Sequence, residues 1–414
     1  MGTRKKIGIY GLGVGGAGRK GVSMAARLAR GYDVTIILDA QYGTADLERY
    51  FGVDLSGVKL HPVRQGFHQA VSRTLQPVLR SGRRFGHLDA LLGDLRRDLD
   101  FTYFRQIQEL GLDLFINNRF GSNLRCPAPH GIFMCMFPHP MRGQPRPYYG
   151  IIHSLYAAVM DRISSLTPQV LDSYTQITAN SAFTAEWVGK LWNRQATVVY
   201  SASPDMGPPS AKDKIILHVG RIGAPSRADY KHQGTLLEAF RDMPELHSAG
   251  WQLHFAGSVL PEEASQRQFS RLRESAANLP VWFHPNLDFD SLRDLYRRAA
   301  IYWHATGYGV PVNEKPFCHE HFGMTTVEAM SAGAVPVVID SGGQKEIVDQ
   351  GVNGLRWESL HQLRESTLKL AADPLLRDEF SRRAVSSSRR FGSEAFGERL
   401  ERIVGSVLKG GPGG

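Results

Sequence analysis

Twice along this chain, short apolar runs alternate with stretches of helical periodicity, and a segment rich in proline and serine divides the two series. Residues 5–10 read as a strand. A glycine loop follows, a helix is expected around 18–30, and 33–38 is a second strand. Further strands are expected at 112–117, 131–137, 176–179 and 195–199. Residues 201–213 contain Pro204, Gly207, Pro208 and Pro209, the composition of a linker. The second series opens at 214–219 and continues near 252–256, 281–284, 301–304, 334–339 and 354–357. Such alternation leaves few choices, because parallel strands need crossovers and the crossover helices cover both faces of the sheet. The expected fold class is α/β, with two Rossmann-like doubly wound domains, 1–204 and 205–392. Residues 393–408 have the periodicity of a closing helix, and 410–414 (Gly-Gly-Pro-Gly-Gly) read as a flexible tail. No internal repeat is visible.

Composition supports globular domains. A chain of 414 residues suggests about two to three of them, and an apolar fraction of 42% is enough for real cores. Cys126, Cys135 and Cys318 form no Cys-x-x-Cys pair and are odd in number, so they read as reduced thiols of a cytoplasmic protein. The basic start Met1-Gly2-Thr3-Arg4-Lys5-Lys6 precedes an apolar run too short and glycine-broken for a signal peptide. No apolar run reaches the length that crosses a bilayer. The net charge of +9 favours anionic partners.

The densest chemical signal is 320–333, Glu-His-Phe-Gly-Met-Thr-Thr-Val-Glu-Ala-Met-Ser-Ala-Gly, which runs into an apolar strand and then Ser341-Gly342-Gly343. Gly323 precedes a helical pattern with Thr325 in its first turn. A helix start leaves backbone N–H groups unpaired and carries partial positive charge, which suits a phosphate. Glu328 falls about one turn into that helix and Glu320 in the loop before it. Two bases, Arg221 after the strand 214–219 and Lys231 ten residues on, add fixed cations. A second glycine loop, Gly11-Leu12-Gly13-Val14-Gly15-Gly16-Ala17-Gly18, follows the first strand, with Asp39 ending the next strand. That skeleton also matches a dinucleotide-binding fingerprint, so an NAD-dependent oxidoreductase using Gly11–Gly16 stands as the rival reading.

The string from Glu320 to Glu328 resembles the Glu-x7-Glu signature of retaining, nucleotide-sugar-dependent glycosyltransferases of family four, which have the GT-B fold. Glu-His-Phe-Gly is similar to the branch of lipid-linked-oligosaccharide mannosyltransferases and their bacterial relatives. The resemblance implies two Rossmann-like domains facing each other across a cleft. The first takes the acceptor and the second the donor, with the helix 393–409 packing back on the first. It implies transfer of a hexosyl group from a UDP- or GDP-sugar to a hydroxyl of a glycan, lipid-linked or small-molecule acceptor, on one face of the sugar and without a metal or cofactor.

By the same resemblance, Arg221, Lys231, Glu320 and His139 are catalytic. Donor contacts are expected from Gly15, Gly16, Arg221, Lys231, Leu287, Glu320, Phe322, Gly323, Met324, Thr325 and Glu328, and acceptor contacts from Asn118 and Arg119. The polar insert 222–230 and the loop 308–319 are longer than the family's usual segments.

The histidines are scattered without a carboxylate frame, so no metal site is expected. Residues 72–99 are basic and amphipathic: Arg73, Arg80, Arg83, Arg84, Arg96 and Arg97 alternate with leucines and Phe85. They read as a solvated helix face or as a contact with anionic lipid at the inner membrane face. No nucleic-acid-binding pattern appears. A non-catalytic nucleotide or sugar sensor is the third class left open.

Overall fold

The computed structural model describes residues 4–12, 16–39, 43–64, 100–141, 166–222, 231–261 and 263–410. Gly15, the segment 72–99, most of the insert 222–230 and the tail 411–414 lie outside the described residues. The chain divides into two compact units, Met1–Ala202 with Phe396–Gly414, and Ser203–Ala395.

In the first unit the described strands are β1 (Lys6–Tyr10), β2 (Asp33–Leu38), β3 (Val58–Pro62), β4 (Leu114–Asn117), β5 (His130–Cys135), β6 (Gln176–Ala179) and β7 (Thr197–Val198). They lie in the order β3-β2-β1-β4-β5-β6-β7, all pairs parallel. β3 was not expected. Its sequence, Val-Lys-Leu-His-Pro, mixes charge and proline, which only an edge strand tolerates. One sheet face packs on the helix Gly16–Leu28 through Val22, Ala25 and Leu28, and on the helix Ser393–Leu408 through Phe396, Leu400, Val404 and Val407. Arg27 forks onto Glu401 at 2.7 and 3.0 Å, joining the two helices at their rim.

The second unit holds β8 (Asp213–Val219), β9 (Gln252–Gly257), β10 (Val281–Pro285), β11 (Ala299–His304), β12 (Val335–Ile339) and β13 (Leu355–Trp357). Their order is β10-β9-β8-β11-β12-β13, again parallel. β11 and β12 are buried along their whole length, because helices cover both faces. Trp303, Phe240, Leu253 and Trp357 fill one side of this core.

Both orders reverse direction once, between β1 and β4 in one unit and between β8 and β11 in the other. At such a switch point the crossovers leave on opposite faces, and a crevice opens at the carboxyl ends of the two strands. Each unit therefore offers one ready ligand position.

Candidate functional site

In the second unit that position is occupied by charge. Lys231 stands two residues ahead of the helix Gln233–Arg241, and Glu320 lies in the loop before the helix Met324–Ser331. Lys231 Nζ donates to Glu320 Oε2 at 2.6 Å. His304, the last residue of β11, places its Nε2 3.1 Å from the same oxygen, with Thr306 Oγ1 at 3.3 Å from that nitrogen. The Lys231 and Glu320 side chains are 20% and 19% exposed, which is buried enough to strengthen the pair and open enough to meet a ligand. Burial opposes the charge on Glu320, yet Lys231 and His304 outweigh it and hold the carboxyl well below the usual carboxylate range. That contribution to stability is present above the unfolded-state pKa and is lost as pH falls toward the lowered native one.

The loop carrying Glu320 is fastened from behind. Gly343 N donates to the Glu320 carbonyl at 2.8 Å. Gly342 has φ +60°, and a Cβ there would sit 2.4 Å from the same carbonyl oxygen, so the Gly-Gly pair is what allows the close approach. Ahead of the helix, the Gly323 carbonyl accepts from Thr326 N and Val327 N at 3.0 and 3.2 Å. The amides of Met324 and Thr325 have no backbone acceptor among the described residues, as the first turn of a helix leaves them. Tyr302 Oη donates to Thr325 Oγ1 at 2.7 Å, and Tyr296 Oη to Glu328 Oε2 at 2.8 Å. Phe322 is buried and packs edge-on against Phe391 at 5.5 Å, so only its backbone remains for a ligand.

Arg221 is exposed just after β8, and its carbonyl accepts Gln233 Nε2 at 3.0 Å, which ties it to the helix that Lys231 precedes. Leu287 is half-buried past β10, the far edge strand, between Asn286, whose amide reaches Gly257 O at 3.0 Å, and the helix cap Asp288. It stands away from the switch point. The expected residues brought together directly are Lys231 and Glu320, with Gly323 capping the adjoining helix and Met324, Thr325 and Glu328 on it.

In the first unit, the helix containing Gly16 begins beside the end of β1. Asn118 is buried and its amide donates to the Gly11 carbonyl at 3.2 Å. Arg119 pairs with Asp39, and its guanidinium lies 5.5 Å over the Tyr10 ring. The His139 carbonyl accepts Trp192 Nε1 at 2.9 Å, and its ring meets the Trp192 ring edge-on. The Asp39–Arg119 pair bears on the dinucleotide reading, which needs the Asp39 carboxylate for a ribose hydroxyl.

Sequence reasoning passed over the tyrosines and the histidines at the strand ends. His304 entered only as the last residue of the expected strand 301–304. The available signal was an imidazole ending an otherwise apolar run of a parallel strand. His218, near the end of β8, is its wholly buried neighbour; its Nδ1 lies 3.0 Å from the Trp303 carbonyl. Burial, with help from His304, pushes the His218 pKa down to about 3. An unfolded chain binds this proton below about pH 6.5 while the native one refuses it, so stability falls with pH between those limits, by up to about 1.4 kcal/mol per pH unit. His218→Asn keeps a donor for the Trp303 carbonyl and cannot titrate. Its denaturant-unfolding free energy is expected to lose less than the wild type's between pH 7 and 5.

Among the described residues no group of three His, Cys, Asp or Glu is placed to hold a metal ion, and no helix is long and apolar enough to cross a membrane.

Comparison with known proteins bears on the family and the fold. Residues 204–386 match the family described as glycosyl transferases group 1. The GDP-Man:Man(3)GlcNAc(2)-PP-Dol alpha-1,2-mannosyltransferase of Yarrowia lipolytica is 28% identical over a stretch covering 44% of this chain and 30% of that protein. The match thus spans under a third of that relative's length. Among solved structures, Anabaena Alr3699/HepE in complex with UDP-glucose aligns with a TM-score of 0.62 at 16% identity, over 97% of this chain and 100% of the other. A glycosyltransferase from Rickettsia africae aligns with a TM-score of 0.64 at 15% identity, over 99% and 100%. TarM aligns with a TM-score of 0.65 at 11% identity, over 96% and 98%. The fold is the one these proteins share.

Proposed function

We propose that this chain, whose residues 204–386 match the family described as glycosyl transferases group 1 and whose fold is that of the GT-B structures above, is a retaining hexosyltransferase. It moves a sugar from a UDP- or GDP-sugar to a hydroxyl of a glycan, lipid-linked or small-molecule acceptor. The observation that carries the reading is the Lys231–Glu320 pair at the switch point of the second unit, set against the start of the helix Met324–Ser331.

When a sugar leaves a nucleoside diphosphate, negative charge grows on the departing phosphate. Arg221 offers a planar fork to that charge, Lys231 a compact cation, and the amides of Met324 and Thr325 two neutral donors. Glu328 takes the ribose hydroxyls, with Tyr296 fixing one of its oxygens. Glu320 takes sugar hydroxyls. The leaving phosphate itself assists deprotonation of the acceptor, so no protein nucleophile enters. The cationic pair then does what a divalent ion does elsewhere. Donors of both base classes occur among the similar proteins: GDP-Man in the name of the Yarrowia relative, and UDP-glucose bound in the Anabaena structure.

A mass-spectrometric screen of UDP- and GDP-sugars, watched for donor consumption with and without candidate hydroxyl acceptors, tests the proposal. One donor is expected to be hydrolysed slowly alone and consumed faster with acceptor. Binding of NADH with no nucleotide sugar bound or consumed ends the proposal in favour of an oxidoreductase, and donor binding without any turnover makes the protein a sensor. Within an active enzyme, Arg221→Ala is expected to lower kcat/KM by about a hundredfold, read by steady-state donor turnover.

A further inference from the structure

Glu320 Oε2 serves two donors at once, Lys231 Nζ at 2.6 Å and His304 Nε2 at 3.1 Å. A carboxylate held as an anion only accepts, so Nε2 carries the ring hydrogen and Nδ1 of the neutral ring is bare. His304 is wholly buried, and its Nδ1 has no hydrogen-bond partner among the described residues. Burial first, and then the Lys231 ammonium, keep the ring neutral, against the pull of Glu320. Other titratable groups lie near the ring. A charge on His304 disfavours protonation of His218 from β8 and of His232, next to Lys231, while Glu320 favours a proton on His304. Tyr302, two residues back on β11, is neutral and tied to Thr325.

The reading above gives Lys231 a second anion to serve. A diphosphate brought to its ammonium cancels the charge that now offsets Glu320. A buried carboxylate stripped of its compensating cation is expensive. His304 already touches that carboxylate and has an empty nitrogen.

We propose that His304 is a positioning residue that takes one proton from solvent onto Nδ1 when a nucleoside diphosphate engages Lys231, so that Glu320 keeps a cationic partner while it faces the sugar. This rests on the nucleotide-sugar reading of the site. The balance is simple: solvent loses one proton, His304 becomes imidazolium, and no other bond changes. Donor binding then tightens as pH falls toward 6, because the bound state holds more protons than the empty one.

The test is isothermal titration calorimetry with UDP-glucose and GDP-mannose near pH 7, repeated in buffers of different ionisation enthalpy. Both are phosphodiesters without a titrating phosphate near neutrality, so uptake reports on the protein. The wild type is expected to take up a substantial fraction of a proton per donor bound. His304→Gln keeps an amide donor toward Glu320 at the place of Nε2 and cannot ionise. It is expected to bind donor several-fold more weakly, with no uptake and a flattened pH dependence of KM between 6 and 8. Should that variant fail to fold, the imidazole nitrogen shifts of His304 in the wild type, with and without donor, give the same answer. Donor binding with no uptake, or equal uptake in the variant, overturns the proposal. If neither these two donors nor any other UDP- or GDP-sugar of the screen binds, the nucleotide-sugar reading is itself overturned and the role of His304 goes with it.

Discussion

Lys231→Ala is expected to cut donor turnover by about a hundredfold or more, with the loss chiefly in kcat. The reason is the double engagement of this ammonium. It sits 2.6 Å from Glu320 and beside the start of the helix that is proposed to receive the phosphates. Removing it takes away a charge that counts most when the leaving group becomes more negative. It also leaves Glu320 with the neutral His304 alone, so the carboxylate that should order the sugar is no longer held in place. Lys231→Arg restores charge but not the compact geometry, and should recover only part of the rate. Steady-state kinetics over a range of donor concentrations decides the matter. A variant with near-normal kcat would mean that the cation is structural. The unfolding midpoint should also drop modestly in Lys231→Ala, because a partly buried carboxylate loses its strongest partner.

Gly257→Ala is expected to be the most damaging change that leaves every candidate site residue in place. Gly257 ends β9, and a Cβ built on it would lie 1.9 Å from the Gly220 carbonyl oxygen, backbone that cannot swing aside. The two strand ends are laced here by Gly220 N to Ala256 O and Ile222 N to Ser258 O, both at 2.9 Å. Arg221 lies between those two bonds. A methyl group must therefore part the ends of β8 and β9 and move the loop that aims Arg221. The expected penalty is about 2–4 kcal/mol, a fall in Tm of roughly 5–15 °C for a unit of this size. Turnover should fall as well, even at temperatures where the protein stays folded. Thermal unfolding measured beside activity separates the two effects, and a wild-type Tm in the variant would rule out the close approach.

How much of this was legible beforehand depends on the range of the physics. Strand and helix alternation is local, so β2 and β6 fell at the residues their apolar runs named, and most others within two or three positions. The misses have physical causes. Apolarity without pairing overextends a strand: the run at 195–199 narrowed to Thr197–Val198, where only two residues find β6. β3 was invisible because an edge strand has little apolar signal to give.

The glutamates, the glycines and the basic pair stood out by residue type at short spacing, and the roles expected of them came from the family resemblance. Glu320 and Glu328 had to lie about a helix start apart, whatever the rest of the chain did. Sequence could not say that Lys231, 89 positions from Glu320, would close on it. Nor could it say that β11 would lie beside β8 and bring His304 to the same oxygen. Strand order is chosen by the packing of whole helices on a sheet, a sum of many weak contacts with no local signature. The chain alone thus determined the kind of fold and named the candidate groups. Tertiary structure alone decided which of those groups share a charge, because an ion pair depends on distance through space and the sequence records only distance along the chain.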